Sequence, residues 1–172
     1  MVETKKAITL GDEEYFKVIM GIHLSPNDPS LWGGETPYIL PRDLPREPLV
    51  SEISNTHKSL SKLGVKKLGP KLLPENSIII CRQGWEASVG RVAINKVPCG
   101  LSQHNFGLLI KDNSQLSLHY VAHMIASLKS QMMLFAQGNL LSFISLNDFK
   151  SLSIPLLDIS KQVQIVSRID RN

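Results

Sequence analysis

The period of the apolar residues changes once along this chain, and the change comes late. Up to Ile110 the apolar residues fall in short clusters. After Ser114, Leu118, Val121, Ala122, Ile125, Leu128, Met132 and Phe135 recur at three- and four-residue spacing. That spacing lays a single apolar stripe along a helix. It predicts one long amphipathic helix that Gly138 stops, because glycine adopts the backbone conformation that ends helices at no steric cost. The clusters ahead of it are too short for helices and rich in β-branched residues, and predict strands at 8–10, 15–20, 77–81, 91–94 and 106–110. The pair 77–81 and 91–94 reads as a hairpin with a polar loop at its tip.

Strands first and helices last give an α+β domain and disfavour alternating βαβ units with a doubly wound parallel sheet. The expected architecture is a single domain with a β-rich centre, the one long helix, and a terminal helix. The 172 residues suffice for one full-sized core, and neither a repeat nor a linker divides them. Near the end, Asn147-Asp148 is expected to cap a short turn, and 152–157 to run extended around Pro155. Asp158 or Ser160 would cap the terminal helix, which places Ile159, Val163, Val166 and Ile169 on one face. Between Gly21 and Pro48, the residues Pro26, Pro29, Gly33, Gly34, Pro37, Pro41, Pro45 and Pro48 predict a long loop in which only 38–40 can pair. Loops of that length inside compact domains usually carry function.

Composition is that of a folding protein, 42% hydrophobic and 20% charged, with a formal charge of +4 that is compatible with a phosphate-facing surface. Much of the positive charge lies in Lys58, Lys62, Lys66, Lys67 and Lys71, a stretch without an acidic residue. Two cysteines, Cys81 and Cys99, are too few for a disulfide framework and too far apart for a CxxC pair, so a cytoplasmic protein is expected. There is no signal-like start and no run of eighteen apolar residues, so no membrane partner is expected.

Catalytic patterns fail one by one. Residues 84–91 bracket five residues with glycines, but Arg91 and Val92 stand where a phosphate loop has its lysine and hydroxyl. His119 and His123 have the i,i+4 spacing of a metal pair, yet Tyr120 stands where the glutamate of a zinc-protease motif would be, and no third ligand is near in sequence. No GxSxG elbow, GxGxxG turn or carboxylate cluster is present. The reading is therefore a non-catalytic chain with no metal site and no cofactor of its own.

Several features follow in a particular order: Leu10-Gly11-Asp12, Gly21, Gly34, Pro37-Tyr38-Ile39 with Asp43, Leu73-Pro74 before Ser77-Ile78-Ile79-Ile80, and Arg82 with Gly84. Then come Gly90-Arg91-Val92-Ala93-Ile94, Gln103 with Asn105, the long helix, Ile154-Pro155-Leu156-Leu157, and Gln162 with Ile165-Val166 and Ile169. The series covers nearly the whole chain and resembles the target recognition domain of type I restriction-modification specificity subunits. The resemblance implies a DNA target recognition domain over 1–157, and over 158–172 the start of a truncated spacer or dimerisation helix. It implies sequence-specific reading of a half-site in double-stranded DNA on behalf of adenine methyltransferase and endonuclease subunits. S-adenosylmethionine, ATP and Mg would then belong to those partners. The partners it implies are methyltransferase subunits, a restriction subunit and a second specificity half-subunit.

Within that frame Arg82, Gln83, Trp85, Gln103, His104 and Asn105 have the chemistry to read base edges, and Lys58, Lys62, Lys66, Lys67 and Arg91 that to hold phosphates. Gln162, Val163, Val166 and Ile169 would dock the partner. Two other readings stay open: a detached recognition domain of a fused adenine methyltransferase-endonuclease, and an interaction protein that binds no DNA.

Overall fold

A computed structural model describes residues 6–46, 50–84, 88–136 and 142–171. Its centre is a five-stranded sheet in the order β2-β9-β6-β7-β4, formed by β2 (Phe16–Met20), β4 (Ser51–Ile53), β6 (Ile78–Cys81), β7 (Val92–Asn95) and β9 (Asn105–Ile110). The expected hairpin is there, with Ile78 opposite Ile94 and Ile80 opposite Val92. All pairs are antiparallel except β4 with β7.

Successive strand residues point to opposite faces, and on β6 this divides the core. Ile78 and Ile80 enter a large cluster with Phe106, Tyr120, Val121, Ile125 and Phe149. Ile79 and Cys81 enter a second cluster with Ile39, Leu73, Ala93, Cys99 and Leu101. All four β6 residues are fully buried, which is why the run carries no polar residue. On the first face lie α2 (Leu118–Ser127), α3 (Lys129–Ala136), α4 (Leu146–Ser151) and α5 (Ile159–Ile169). The first strand, β1 (Lys6–Thr9), pairs antiparallel with β10 (Ser153–Leu156), so the extended piece around Pro155 forms as expected.

Three expectations need correction. The long helix is broken at Leu128, whose ψ of 4° and N–H bonds back to Ile125 O and Ala126 O close a tight turn. Beyond the break the chain passes close over the Gly90 turn, where a β-carbon on Gly90 would lie 3.0 Å from Lys129 Cγ. Met132 and Ala136 then carry the core contact, while Phe135, which the period placed on the stripe, is 46% exposed. Gly138, the expected stop, lies outside the described residues. The cap before α4 is also shifted: Ser145 Oγ accepts from Asp148 N at 3.1 Å, ahead of the Asn147-Asp148 pair.

The third correction concerns the proline-dense stretch. It holds an eight-residue strand, β3 (Trp32–Ile39), centre of a sheet with β5 (Lys58–Leu60) and β8 (Gly100–Leu101). A bulge makes this possible: Trp32 and Thr36 both face Leu60, with Gly33 at φ 87° between them. On its other side β3 pairs only through Tyr38 and Ile39, so the missing N–H of Pro37 interrupts no ladder there. The lysine-rich stretch beyond β5 forms α1 (Lys62–Leu68), capped by Ser61 Oγ accepting from Gly64 N and ended by Gly69 at φ 53°. Among the described residues no helix is long and apolar enough to cross a membrane.

Candidate nucleic-acid interface

The structure divides the basic and polar residues singled out above into two groups on neighbouring parts of the molecule. The first is the lobe built on β3, β5 and α1. Its small core contains Leu24, Leu31, Tyr38, Leu60 and Leu68. Helix α1 packs closely on the 3-10 turn Pro29–Leu31; a β-carbon on Gly64 would lie 2.4 Å from Leu31 O. With Gly64 and Leu68 turned inward, Lys62, Lys66 and Lys67 are left exposed. Lys58 reaches over Trp32, its Nζ 4.8 Å from the ring centroid. The indole is fixed in turn, donating to Ser25 O at 3.0 Å and standing edge-on to Tyr38 at 5.1 Å. Tyr38 donates its hydroxyl to Ile22 O at 2.8 Å, and burial raises its pKa. A cleft lined by Pro26, Trp32, Gly33, His57, Lys58 and Ser59 opens beside this stack.

The second group sits where β6 leaves the sheet and β9 enters it. The Arg82 and Gln83 N–H groups donate to His104 O at 2.9 and 3.3 Å, which brings the two ends together. Arg82 bridges three segments: Nε donates to Ile144 O, an Nη donates to Gln103 O, and the guanidinium lies over the Phe106 and Phe143 rings. Two of its five N–H donors are thus committed inside the protein, and burial lowers its pKa. Gln103 is exposed, whereas Gln83 and His104 are half-buried. Trp85 lies outside the described residues.

Asn105 departs from its expected role. It is fully buried, its Nδ2 donating to Ile39 O at 2.9 Å and to Ser102 Oγ at 3.3 Å, so it ties the corner between β8 and β9 and faces no groove. Asn105 opens β9, whose first four residues are buried, whereas its neighbour His104 lies in the preceding turn and stays half-buried.

Arg91 directly precedes β7, half-buried, beside the Gly90 turn. The loop at 22–31 joins the two groups: His23 is near enough to His104 to help lower its pKa, and at the far end Lys67 acts on Asp28, whose carboxyl the Ser30 hydroxyl chiefly holds below its usual range. The contributions of Trp32 and His23 were not apparent from sequence. The Trp32-Gly33-Gly34 triplet marks the first, but nothing in the sequence brings His23 to His104.

On the terminal helix Gln162 also departs from expectation. It is fully buried, accepting from Ser117 N at 2.8 Å and donating to Gln115 O at 2.8 Å and Leu157 O at 2.7 Å. It fastens α5 to the start of α2 and leaves no amide for a partner. Val163 is 56% and Ile159 40% exposed, while Val166 is partly buried against the main core. Burial pushes the Cys81 thiol up to about 11 and the Cys99 thiol to about 12, so neither supplies a thiolate near neutral pH. His119 pairs with Glu52 and His123 with Asp170, and no cluster of metal-ligating residues occurs among the described residues.

Comparison with solved structures agrees with this architecture. A chain from a study of complex assembly and conformational transition of the type I R-M system matches with a TM-score of 0.73 at 18% identity, over 99% of this chain and 38% of that one. The type I restriction-modification S subunit from M. genitalium matches at 0.66 and 17%, over 99% and 40%. The HsdS subunit from Thermoanaerobacter tengcongensis matches at 0.67 and 16%, over 99% and 37%. The chain thus spans about two fifths of the length of these proteins. The model of one family, the type I restriction modification DNA specificity domain, matches residues 14–171. On that match over almost all of its length, the chain belongs to the family of type I restriction modification DNA specificity domains.

Proposed function

We propose that this domain reads one half-site of double-stranded DNA and directs adenine methyltransferase and endonuclease subunits to it. The observation that carries the reading is the juxtaposition, within a domain of this family, of a lysine-bearing lobe with a corner of polar side chains. Phosphate contacts set register and affinity, and base-edge contacts set sequence. Lys58, Lys62, Lys66 and Lys67 supply the first, with Arg91 beside the hairpin. Gln83, Gln103, His104 and the uncommitted part of Arg82 supply the second.

The partners in this proposal are methyltransferase subunits, a restriction subunit and a second specificity half-subunit, with S-adenosylmethionine, ATP and Mg held by the catalytic partners in the cytoplasm. The exposed apolar residues Ile159 and Val163 on α5 favour docking through 158–172. Residues 1–157 are then the reading domain.

Selection from a random duplex pool at moderate salt, with the methyltransferase subunits present, tests this reading. A shared motif is expected, and its absence would refute the proposal. Replacing Lys58, Lys62, Lys66 and Lys67 together by alanine should weaken binding to all duplexes alike. It should also make the salt dependence shallower, by about one unit of slope per lysine that touches phosphate. Unchanged affinity would show that the lobe does not face DNA.

A further inference from the structure

The Gln83–His104 contact fixes more than the position of two side chains. His104 Nδ1 lies 3.2 Å from Gln83 Oε1. An amide oxygen only accepts, so Nδ1 carries the ring proton and, in the neutral ring, the lone pair is on Nε2. The amide nitrogen of Gln83 remains a donor. No residue among those described takes either His104 Nε2 or Gln83 Nε2 as a hydrogen-bond partner.

Both stems are rigid: His104 O holds the Arg82 and Gln83 N–H groups, and His104 N lies 3.4 Å from Ser102 Oγ. The pair therefore presents a fixed donor and a fixed acceptor from a half-buried corner.

We propose that this pair is a specificity determinant with a protonation-dependent code: neutral His104 takes a base amino group at Nε2, and protonated His104 takes a base oxygen or N7 instead. The proposal rests on the DNA-reading function above. In the major groove the amino groups are N6 of adenine and N4 of cytosine. The acceptors are O6 and N7 of guanine, O4 of thymine and N7 of adenine. The Gln83 amide demands an acceptor in either state, so only the position facing His104 changes its preference.

Among the described residues the charged and titratable groups acting on the ring are Arg82 and His23. Burial first, then Arg82, then His23 hold its pKa below the ordinary value of 6.5. The accepting form therefore prevails at neutral pH, and acid converts it.

The test is motif selection by the chain together with its methyltransferase subunits, at about pH 8 and at about pH 5.5. His104→Asn is run in parallel. Asparagine keeps a donor at the place of Nδ1, and so the hold on Gln83, but removes Nε2.

For the native chain one position should pass from an amino-bearing base edge to an acceptor edge as pH falls, with a preference on the order of tenfold in each state. His104→Asn should lose the preference at that position alone, at both pH values. A motif that is the same at both pH values and unchanged in His104→Asn overturns the inference while leaving DNA reading intact. A pH-dependent change that persists in His104→Asn overturns it equally. Failure of the native chain to select any motif refutes DNA reading and the code with it.

Discussion

In the main body, the inner strands β6 and β7 are buried on both faces, and β6 is a continuous apolar run, Ile78–Cys81. In the lobe, a bulged strand containing two glycines and a proline carries a core of only a few residues, among them Leu31, Tyr38 and Leu60. The body is held by area removed from water. The lobe relies on close backbone approach: a β-carbon on Gly34 would meet Leu60 O at 2.2 Å, and one on Gly64 would meet Leu31 O at 2.4 Å. A thin, glycine-packed lobe leaves most of its surface to solvent, and that surface bears the lysines. The body, by contrast, orients a few polar groups at its corner, where rigidity matters more than charge.

The largest effect is expected in the body. Phe149 is fully buried and stacks on Phe106 at 4.8 Å, and Phe106 lies beneath the Arg82 guanidinium. Phe149→Ala should cost about 3–5 kcal/mol, read as a fall in thermal midpoint with loss of the whole cooperative transition. A loss confined to one region, or well below that range, would show that the body's core is not a single unit.

Gly64→Ala should cost less, about 1–3 kcal/mol, because the added methyl must displace α1 from Leu31. Amide exchange separates the two regions. Protection should fall over 58–68 and persist in Ile78–Cys81 if the lobe opens by itself. Equal losses in both would mean that lobe and body unfold together.

The smallest effect is that of pH. His104 and His123 both have folded-state pKa values lowered chiefly by burial; for His123 the nearby Asp170 opposes the shift and His119 adds to it. The unfolded chain therefore takes up protons first as pH falls through about 6.5, and it binds more protons than the folded chain below that point. Stability from these two groups is present above that pH and is lost on acidification. Melting between about pH 8 and pH 5.5 should show a declining midpoint. His123→Gln should flatten the slope through the contact of α2 with α5, and His104→Asn through the corner beside the lobe. A midpoint that rises on acidification would contradict both assignments.

Legibility in the sequence followed the strength of the local signal. The β6–β7 hairpin, β9, the stretch around Pro155 and the terminal helix were evident, because each is a short apolar run bounded by turn residues or a clear stripe. Strand β3 was hidden: a proline and two glycines argue against a ladder unless a bulge and a half-open second side accommodate them. The break at Leu128 was hidden because the three- and four-residue spacing continues through it. The order of motifs from Leu10-Gly11-Asp12 to Gln162 led to the family, while the individual roles within that series were less accessible. Gln162 and Asn105 have polar side chains suited to contact with a partner or a base, yet both are fully buried and saturate backbone groups of their own fold.

By itself the sequence determined the α+β class, the β-rich centre and the family resemblance, since these depend on periodicity, residue type and the order of motifs within the chain. Only the tertiary structure decided which polar residues remain at the surface. Of two adjacent residues, Asn105 points into the core and His104 lies nearer the surface, because His104 belongs to the turn between β8 and β9 while Asn105 begins the buried strand. His104 meets Gln83 and His23 across long separations in sequence, and the hydrogen bond that sets its tautomer exists only once β6 and β9 are paired.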